Sequence, residues 1–183
     1  MSATLSVVSA RELTILNFYR ASELHGGLIL AEVARRTRDG LLASQLLRHS
    51  AEEIVHAQLW NDAIIAVGGA VRPVKDTYQT RFAAALGHPT GLVQVLALTQ
   101  VFERRVYRHF LEHHRRPGTH PIIRGALRRM LEEEQGHLAW VKHWLDEQRE
   151  RHPDIPALMQ RYSELDSRVY RELTTELEWA QAA

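Results

Sequence analysis

One four-residue motif occurs twice in this chain and limits the folds that the chain can adopt. The motif is Glu-x-x-His, and it occupies residues 53–56 and again residues 134–137. Residues three apart on a helix lie on one face about one turn from each other, so each copy directs a carboxylate and an imidazole towards one point. Both groups are metal ligands. The repeat therefore predicts two helices that each carry part of a metal site.

Each copy of the motif follows a lone glutamate at nearly the same interval. Glu23 precedes Glu53 by 30 residues, and Glu103 precedes Glu134 by 31. The midpoints of the two intervals fall close to an Asp-Gly pair and a Pro-Gly pair, which are strong turn signals. In two antiparallel helices joined at such a turn, residues equidistant from the turn lie level with each other. We therefore expect Glu23 to face Glu53 and Glu103 to face Glu134.

If two helix pairs of this kind pack together, four carboxylates and two imidazoles meet in the interior. A buried carboxylate costs several kcal/mol or takes up a proton unless a cation accompanies it. The alternative is an internal network of salt bridges and neutral acids, which does not explain why the inward stripes are otherwise apolar. This ligand set suits two iron or manganese ions. The predicted ligands are Glu23, Glu53, His56, Glu103, Glu134 and His137.

Apolar residues at helical spacing predict five long helices around these ligands. The helices run from about Ala10 to Thr37, from Leu41 to Val67, from Thr90 onward, from Pro121 to Arg151 and from Pro156 to Trp179. About twenty residues connect the second helix to the third, and they include a possible short helix after Asp76. A connection of this length can cross the length of a bundle.

The composition narrows the class of protein. A chain of 183 residues, 45% of them apolar, can bury one core, so we expect a single soluble domain spanning 1–183. The absence of cysteine excludes disulfides, iron–sulfur clusters and a rubredoxin centre within this chain. The net charge of +1 predicts no strong attraction to nucleic acid or membrane. Neither a leader at Met1–Ala10 nor a membrane span is apparent, so a cytoplasmic protein is expected.

The order Glu, Glu-x-x-His, Glu, Glu-x-x-His on four successive helices resembles the signature of the ferritin-like di-iron carboxylate proteins. The resemblance covers about residues 10–148, and the segment 133–140 is most similar to the fourth helix of bacterioferritin. It implies an all-α, ferritin-like four-helix bundle at about 10–150 with one long crossover, to which a C-terminal helix at about 156–180 is added. It also implies that Glu53 and Glu134 are bridging carboxylates and that the other four ligands are terminal.

The resemblance implies oxidoreduction at a non-haem di-iron centre that reacts with oxygen or peroxide, of the oxygenase, hydroxylase or peroxidase type. Such a protein needs an external electron donor and a small-molecule substrate that the sequence does not identify. Ile54 stands where bacterioferritin has its haem-ligating methionine, so no haem is expected. Rubrerythrins usually carry a further glutamate near Glu103, and its absence here weakens the peroxidase interpretation. His137 argues against an ordinary ferritin ferroxidase site, which lacks this histidine.

Other interpretations stay open. They are a ferroxidase for iron storage or detoxification, a dimanganese catalase-like enzyme and a tRNA-modifying hydroxylase. The basic run at 104–116 is interpreted as a solvated surface paired with nearby glutamates, and an RNA partner is the lesser alternative. A homodimer is favoured over a storage cage.

Three further residues stand close to the ligands in sequence. Tyr19 and Tyr107 each lie four residues from a ligand glutamate, so either could hydrogen-bond a carboxylate or donate an electron. His49 lies one turn before Glu53 and could be an extra ligand or a proton shuttle. Packing in the core is the alternative for all three residues.

Two adjacent glycines, Gly26 and Gly27, follow Glu23 by one turn. Each glycine costs a helix about 1 kcal/mol relative to alanine, so their position needs a reason. Close helix packing is the favoured explanation, and room for a substrate or for ligand movement is the alternative.

Overall fold

The computed structural model describes residues 7–87 and 89–177, and these residues form helices without any strand. The helices are α1 (Ala10–Arg36), α2 (Gly40–Ala66), α3 (Tyr78–Leu86), α4 (Leu92–Arg115), α5 (Pro121–Gln148) and α6 (Ile155–Glu176). The all-α prediction is confirmed, and the short helix expected after Asp76 is α3. The predicted end of the last helix, Trp179, lies outside the described residues.

Local hydrogen bonds set the ends of the first two helices. The Ser9 hydroxyl accepts a hydrogen bond of 3.1 Å from the backbone N–H of Glu12, which caps α1. The Asp39 carboxylate accepts hydrogen bonds from the N–H groups of Leu41 and Leu42 and caps α2. Because only residues 37–39 separate α1 from α2, the two helices are joined by a tight connection.

The described chain divides into two compact units. The first unit contains residues up to 79 together with 116–126, and the second contains 80–115 together with residues from 127 onward. Helices α1 and α2 belong to the first unit, and α4 and α6 belong to the second. A single domain and a four-helix bundle both stay predictions.

In the first unit, α1 and α2 pack against each other as antiparallel helices. Leu13 near the start of α1 lies against Gly69 after α2, whereas Gly27 lies against the middle of α2. A Cβ at Gly27 would lie 2.9 Å from Ile54 Cγ1 and 3.0 Å from the Ser50 carbonyl oxygen. The Ser50 hydroxyl also donates a 2.8 Å hydrogen bond to the Gly27 carbonyl. Close helix packing therefore explains Gly27.

In the second unit, α4 packs against α6. The Arg105 guanidinium forms an ion pair with Asp166, which is 4% exposed. The same guanidinium lies 4.2 Å from the centroid of the Tyr170 ring. His109 Nδ1 lies 2.6 Å from the Tyr170 hydroxyl. The added C-terminal helix thus contacts the helix that carries Glu103.

These contacts revise the interpretation of the basic run. Arg129, on the next helix, forms the expected surface pair with Glu133, at 3.0 Å. Arg105 instead pairs with a buried aspartate, and His113 is buried in place of lying on the outer face. The run is therefore not a uniformly solvated surface.

No helix among the described residues combines the length and the apolar character that crossing a bilayer requires. The cytoplasmic location stays a prediction.

Candidate metal centre

Three predicted ligands come together within the first unit, and we call them the first half-site. Glu23 lies on α1, whereas Glu53 and His56 lie on α2. Each offers a ligand atom, and these atoms all lie within 4.8 Å of one another. His56 Nδ1 lies 3.6 Å from Glu23 Oε2. The antiparallel packing of α1 on α2 thus places Glu23 level with the motif, as the turn spacing predicts.

The first half-site is enclosed by apolar side chains of the same two helices. His56 is fully buried, and Glu23 and Glu53 are 5% and 6% exposed. Trp60 follows His56 by one turn and is fully buried, and its ring lies 5.0 Å from that of Tyr19 between centroids. The Tyr19 ring therefore contributes to the apolar core beside the site.

The segment that follows α2 returns to α1 next to the first half-site. His25 Nδ1 lies 2.7 Å from the hydroxyl of Thr77, and burial lowers the pKa of His25, which favours the neutral imidazole at pH 7. The Gln79 amide donates a 2.9 Å hydrogen bond to the Ser22 carbonyl. The sequence gives no signal for the position of Gln79, because this contact joins residues 57 apart.

Gly26 has a different role from Gly27. A Cβ at Gly26 would lie 3.4 Å from Glu53 Oε2 and 3.5 Å from Gln79 Nε2. These distances are close but not prohibitive, so the missing side chain leaves space beside the Glu53 carboxylate. Close packing does not require a glycine at this position, and room for ligand movement stays a prediction for Gly26.

The other three predicted ligands lie within the second unit, and we call them the second half-site. Glu103 is on α4 and is 8% exposed, whereas Glu134 and His137 are on α5 and are 0% and 2% exposed. His137 Nδ1 lies 3.2 Å from Glu134 Oε2. Glu103 and His137 offer ligand atoms within 4.8 Å of each other. The structure therefore groups Glu103 with the histidine of the motif.

The remaining candidates differ in how they meet the half-sites. His49 is 1% exposed, and its Nε2 lies 3.2 Å from Glu53 Oε1. The Tyr107 hydroxyl accepts a 3.3 Å hydrogen bond from the Gln135 amide on the exposed side of α5, and Tyr107 is partly exposed. His49 thus contacts a predicted ligand directly.

The chemistry of the donor atoms fits divalent ions. With its two carboxylates ionised and its imidazole neutral, each half-site has a formal charge of −2 in surroundings that nearly exclude water. Such charge requires either a cation or protons. Oxygen and imidazole donors suit iron and manganese. The buried groups could therefore hold metal ions, and the role of each residue as a ligand stays a prediction.

Comparison with known proteins does not assign a family. No protein-family model matches the chain, and no curated protein or solved structure is significantly similar to it. The likeness to ferritin-like proteins accordingly rests on the order and spacing of the motifs and on the helices that carry them.

Proposed function

We propose that the protein is a non-haem di-iron oxidoreductase of the ferritin-like four-helix class that reacts with oxygen or peroxide. The observation that supports this proposal best is the burial of all six predicted ligands, none of which is more than 8% exposed. A salt-bridge network at the surface needs no such burial.

Two bound iron ions would supply two electrons together to oxygen or peroxide. The surrounding residues provide a dry and adjustable pocket. Trp60, one turn after His56, is fully buried, and a site without water strengthens the electrostatic attraction between ligands and metal. The space at Gly26 would allow the Glu53 carboxylate to change its orientation.

The charge of the half-sites favours retention of the metal as a cofactor. Two divalent ions would balance the charge of the four carboxylates, because the imidazoles add no charge. A neutral buried site does not repel the bound ion or attract an excess of further cations. We also propose that the electrons come from an external donor and that the substrate is a small molecule. The protein would act as a cytoplasmic homodimer.

The central test is metal analysis of protein purified under reducing conditions without chelator. We expect about two transition-metal ions per chain, as in dinuclear carboxylate proteins. Glu53→Ala and His137→Ala should each lose at least one ion. Glu133→Ala is the matched control, because Glu133 is adjacent to Glu134 but forms a surface pair with Arg129. A wild-type protein without bound transition metal would show that the proposal is wrong.

Repeated oxidation separates this function from its alternatives. The ferrous protein should consume oxygen in the presence of a reductant and keep about two irons per chain through every cycle. Continued uptake of ferrous iron would identify storage or detoxification. If the manganese-loaded protein disproportionates peroxide and the iron-loaded protein does not, the protein is a catalase-like enzyme.

A further inference from the structure

We propose that His49 is a third imidazole ligand and that it binds the same ion as an oxygen of Glu53. This proposal rests on the proposed function and adds to it an inequality between the two ions. One ion would have two nitrogen donors from the protein, and the other would have one.

The position of His49 on α2 suits a ligand. His49, Glu53 and His56 occupy positions i, i+4 and i+7, which lie on one face of a helix. All three are buried, with exposures of 1%, 6% and 0%. The face therefore presents an imidazole on each side of one carboxylate, within two helical turns.

The distance between His49 and Glu53 also suits ligands of one ion. His49 Nε2 lies 3.2 Å from Glu53 Oε1. Donor atoms that are each about 2.1 Å from a metal lie about 3 to 3.5 Å from one another in tetrahedral or octahedral geometry. His49 and Glu53 therefore need little rearrangement to receive an ion between them.

Packing alone does not account for a histidine at this position. The equivalent residue of the second motif, four residues before Glu134, is Met130, and it is fully buried. The second helix pair thus fills the same position with an apolar side chain. A buried imidazole is more costly to desolvate than a thioether unless its nitrogens have partners, and a metal ion is one such partner.

A third imidazole should change which metal is preferred. Imidazole suits iron, whereas sites made of carboxylates and water suit manganese. The ion position with two imidazoles should therefore fill first and should prefer Fe²⁺ over Mn²⁺ more strongly than the position with one imidazole does.

The experiment counts histidine ligands in protein loaded with two Co²⁺ ions per chain. An imidazole bound to Co²⁺ gives an exchangeable N–H proton signal shifted far outside the ordinary NMR range, so the signals can be counted. We expect three such signals from the wild type, for His49, His56 and His137. We expect two from His49→Gln, which retains an amide able to hydrogen-bond to Glu53, and two from His49→Met, which copies Met130.

His143→Ala provides a matched control. His143 precedes Glu147 by the same four residues, and its Nε2 lies 3.3 Å from Glu147 Oε1, but both side chains are exposed. This variant should keep all three signals. His49→Gln should also weaken the preference for Fe²⁺ over Mn²⁺ by about tenfold, within the range observed when residues that support a metal site are replaced.

The outcomes separate this proposal from the proposed function. Two signals from wild-type protein that holds two Co²⁺ ions, unchanged in His49→Gln, would make His49 a hydrogen-bond partner of Glu53 and overturn only this proposal. Failure of the wild type to bind Co²⁺, Fe²⁺ or Mn²⁺ would overturn both. Circular dichroism of His49→Met checks that the helices are intact.

Discussion

The two ligand-bearing helix pairs share one motif order but differ in how their helices are held. In the first unit, α1 approaches α2 closely because Gly27 has no side chain, and the Ser50 hydroxyl bonds to the Gly27 carbonyl. In the second unit, α4 is attached to α6 by the pair of Arg105 and Asp166. The residue one turn after the lone glutamate is Gly27 in the first pair and Tyr107 in the second. A similar arrangement of ligands can therefore be supported by close backbone packing or by polar contacts to an additional helix.

The comparison indicates a structural role for α6, which carries none of the six predicted metal ligands. α6 places Asp166 and Tyr170 against α4, and Phe82 lies edge-on to Tyr162 of the same helix. The ring of Phe82 is also edge-on to Phe102, one residue before Glu103. We infer that α6 limits the movement of the helix that carries Glu103.

The largest expected effect is the loss of the anchor between α4 and α6. Arg105→Ala leaves the buried carboxylate of Asp166 without its guanidinium partner, and such a change costs about 3 kcal/mol. The measurement is the free energy of unfolding in urea. The control is the double variant Arg105→Met with Asp166→Leu, which removes both charges and should be close to the wild type. A loss of less than about 1 kcal/mol in Arg105→Ala would show that the pair is not an anchor.

The next effect concerns the close packing of α1 on α2. Gly27→Ala should lower the free energy of unfolding by about 2 kcal/mol, because its Cβ would press on Ile54 and on the Ser50 backbone. Gly136→Ala is the matched control, since Gly136 lies within α5 and a Cβ there meets no atom within 4 Å. That variant should gain about 1 kcal/mol from helix propensity alone. Equal effects of the two substitutions would contradict the difference between the two helix pairs.

The same comparison shows which features the sequence can predict. The helices and their buried stripes follow from local periodicity, so Glu53 and His56 are buried as expected. The first turn was also predictable, because Asp39 has the residue type that caps a helix.

Contacts between distant segments were not predictable from local pattern. Arg105 stands in a run of charged residues, and no periodic signal marks Asp166, 61 residues later, as its partner. Gln79, at the start of α3, contacts α1 through a hydrogen bond to the Ser22 carbonyl. In both cases, the pairing depends on how whole helices pack.

The smallest effects on stability should come from surface ion pairs. Both units have such pairs, and the pair at Glu32 and the pair at Asp146 are alike. A hydrogen bond from Arg35 lowers the pKa of Glu32 to about 2, and a hydrogen bond from Lys142 lowers the pKa of Asp146. A carboxylate whose pKa is lower in the folded state adds stability above its unfolded pKa and loses it as the pH falls through the folded pKa. For Glu32 this window extends from 4.5 down to about 2.

We expect Glu32→Gln and Asp146→Asn to lower the urea midpoint at pH 7 slightly and to similar extents, and less than Gly27→Ala does. Water and salt screen these exposed pairs, so added salt should reduce both effects. Below pH 4.5, the difference between Glu32→Gln and the wild type should shrink, because the wild-type carboxylate is protonated in the unfolded state there, whereas in the folded state it is protonated only near pH 2. A midpoint change in Glu32→Gln larger than that in Gly27→Ala would mean that charge at the end of α1, more than the close approach at Gly27, holds the first helix pair together.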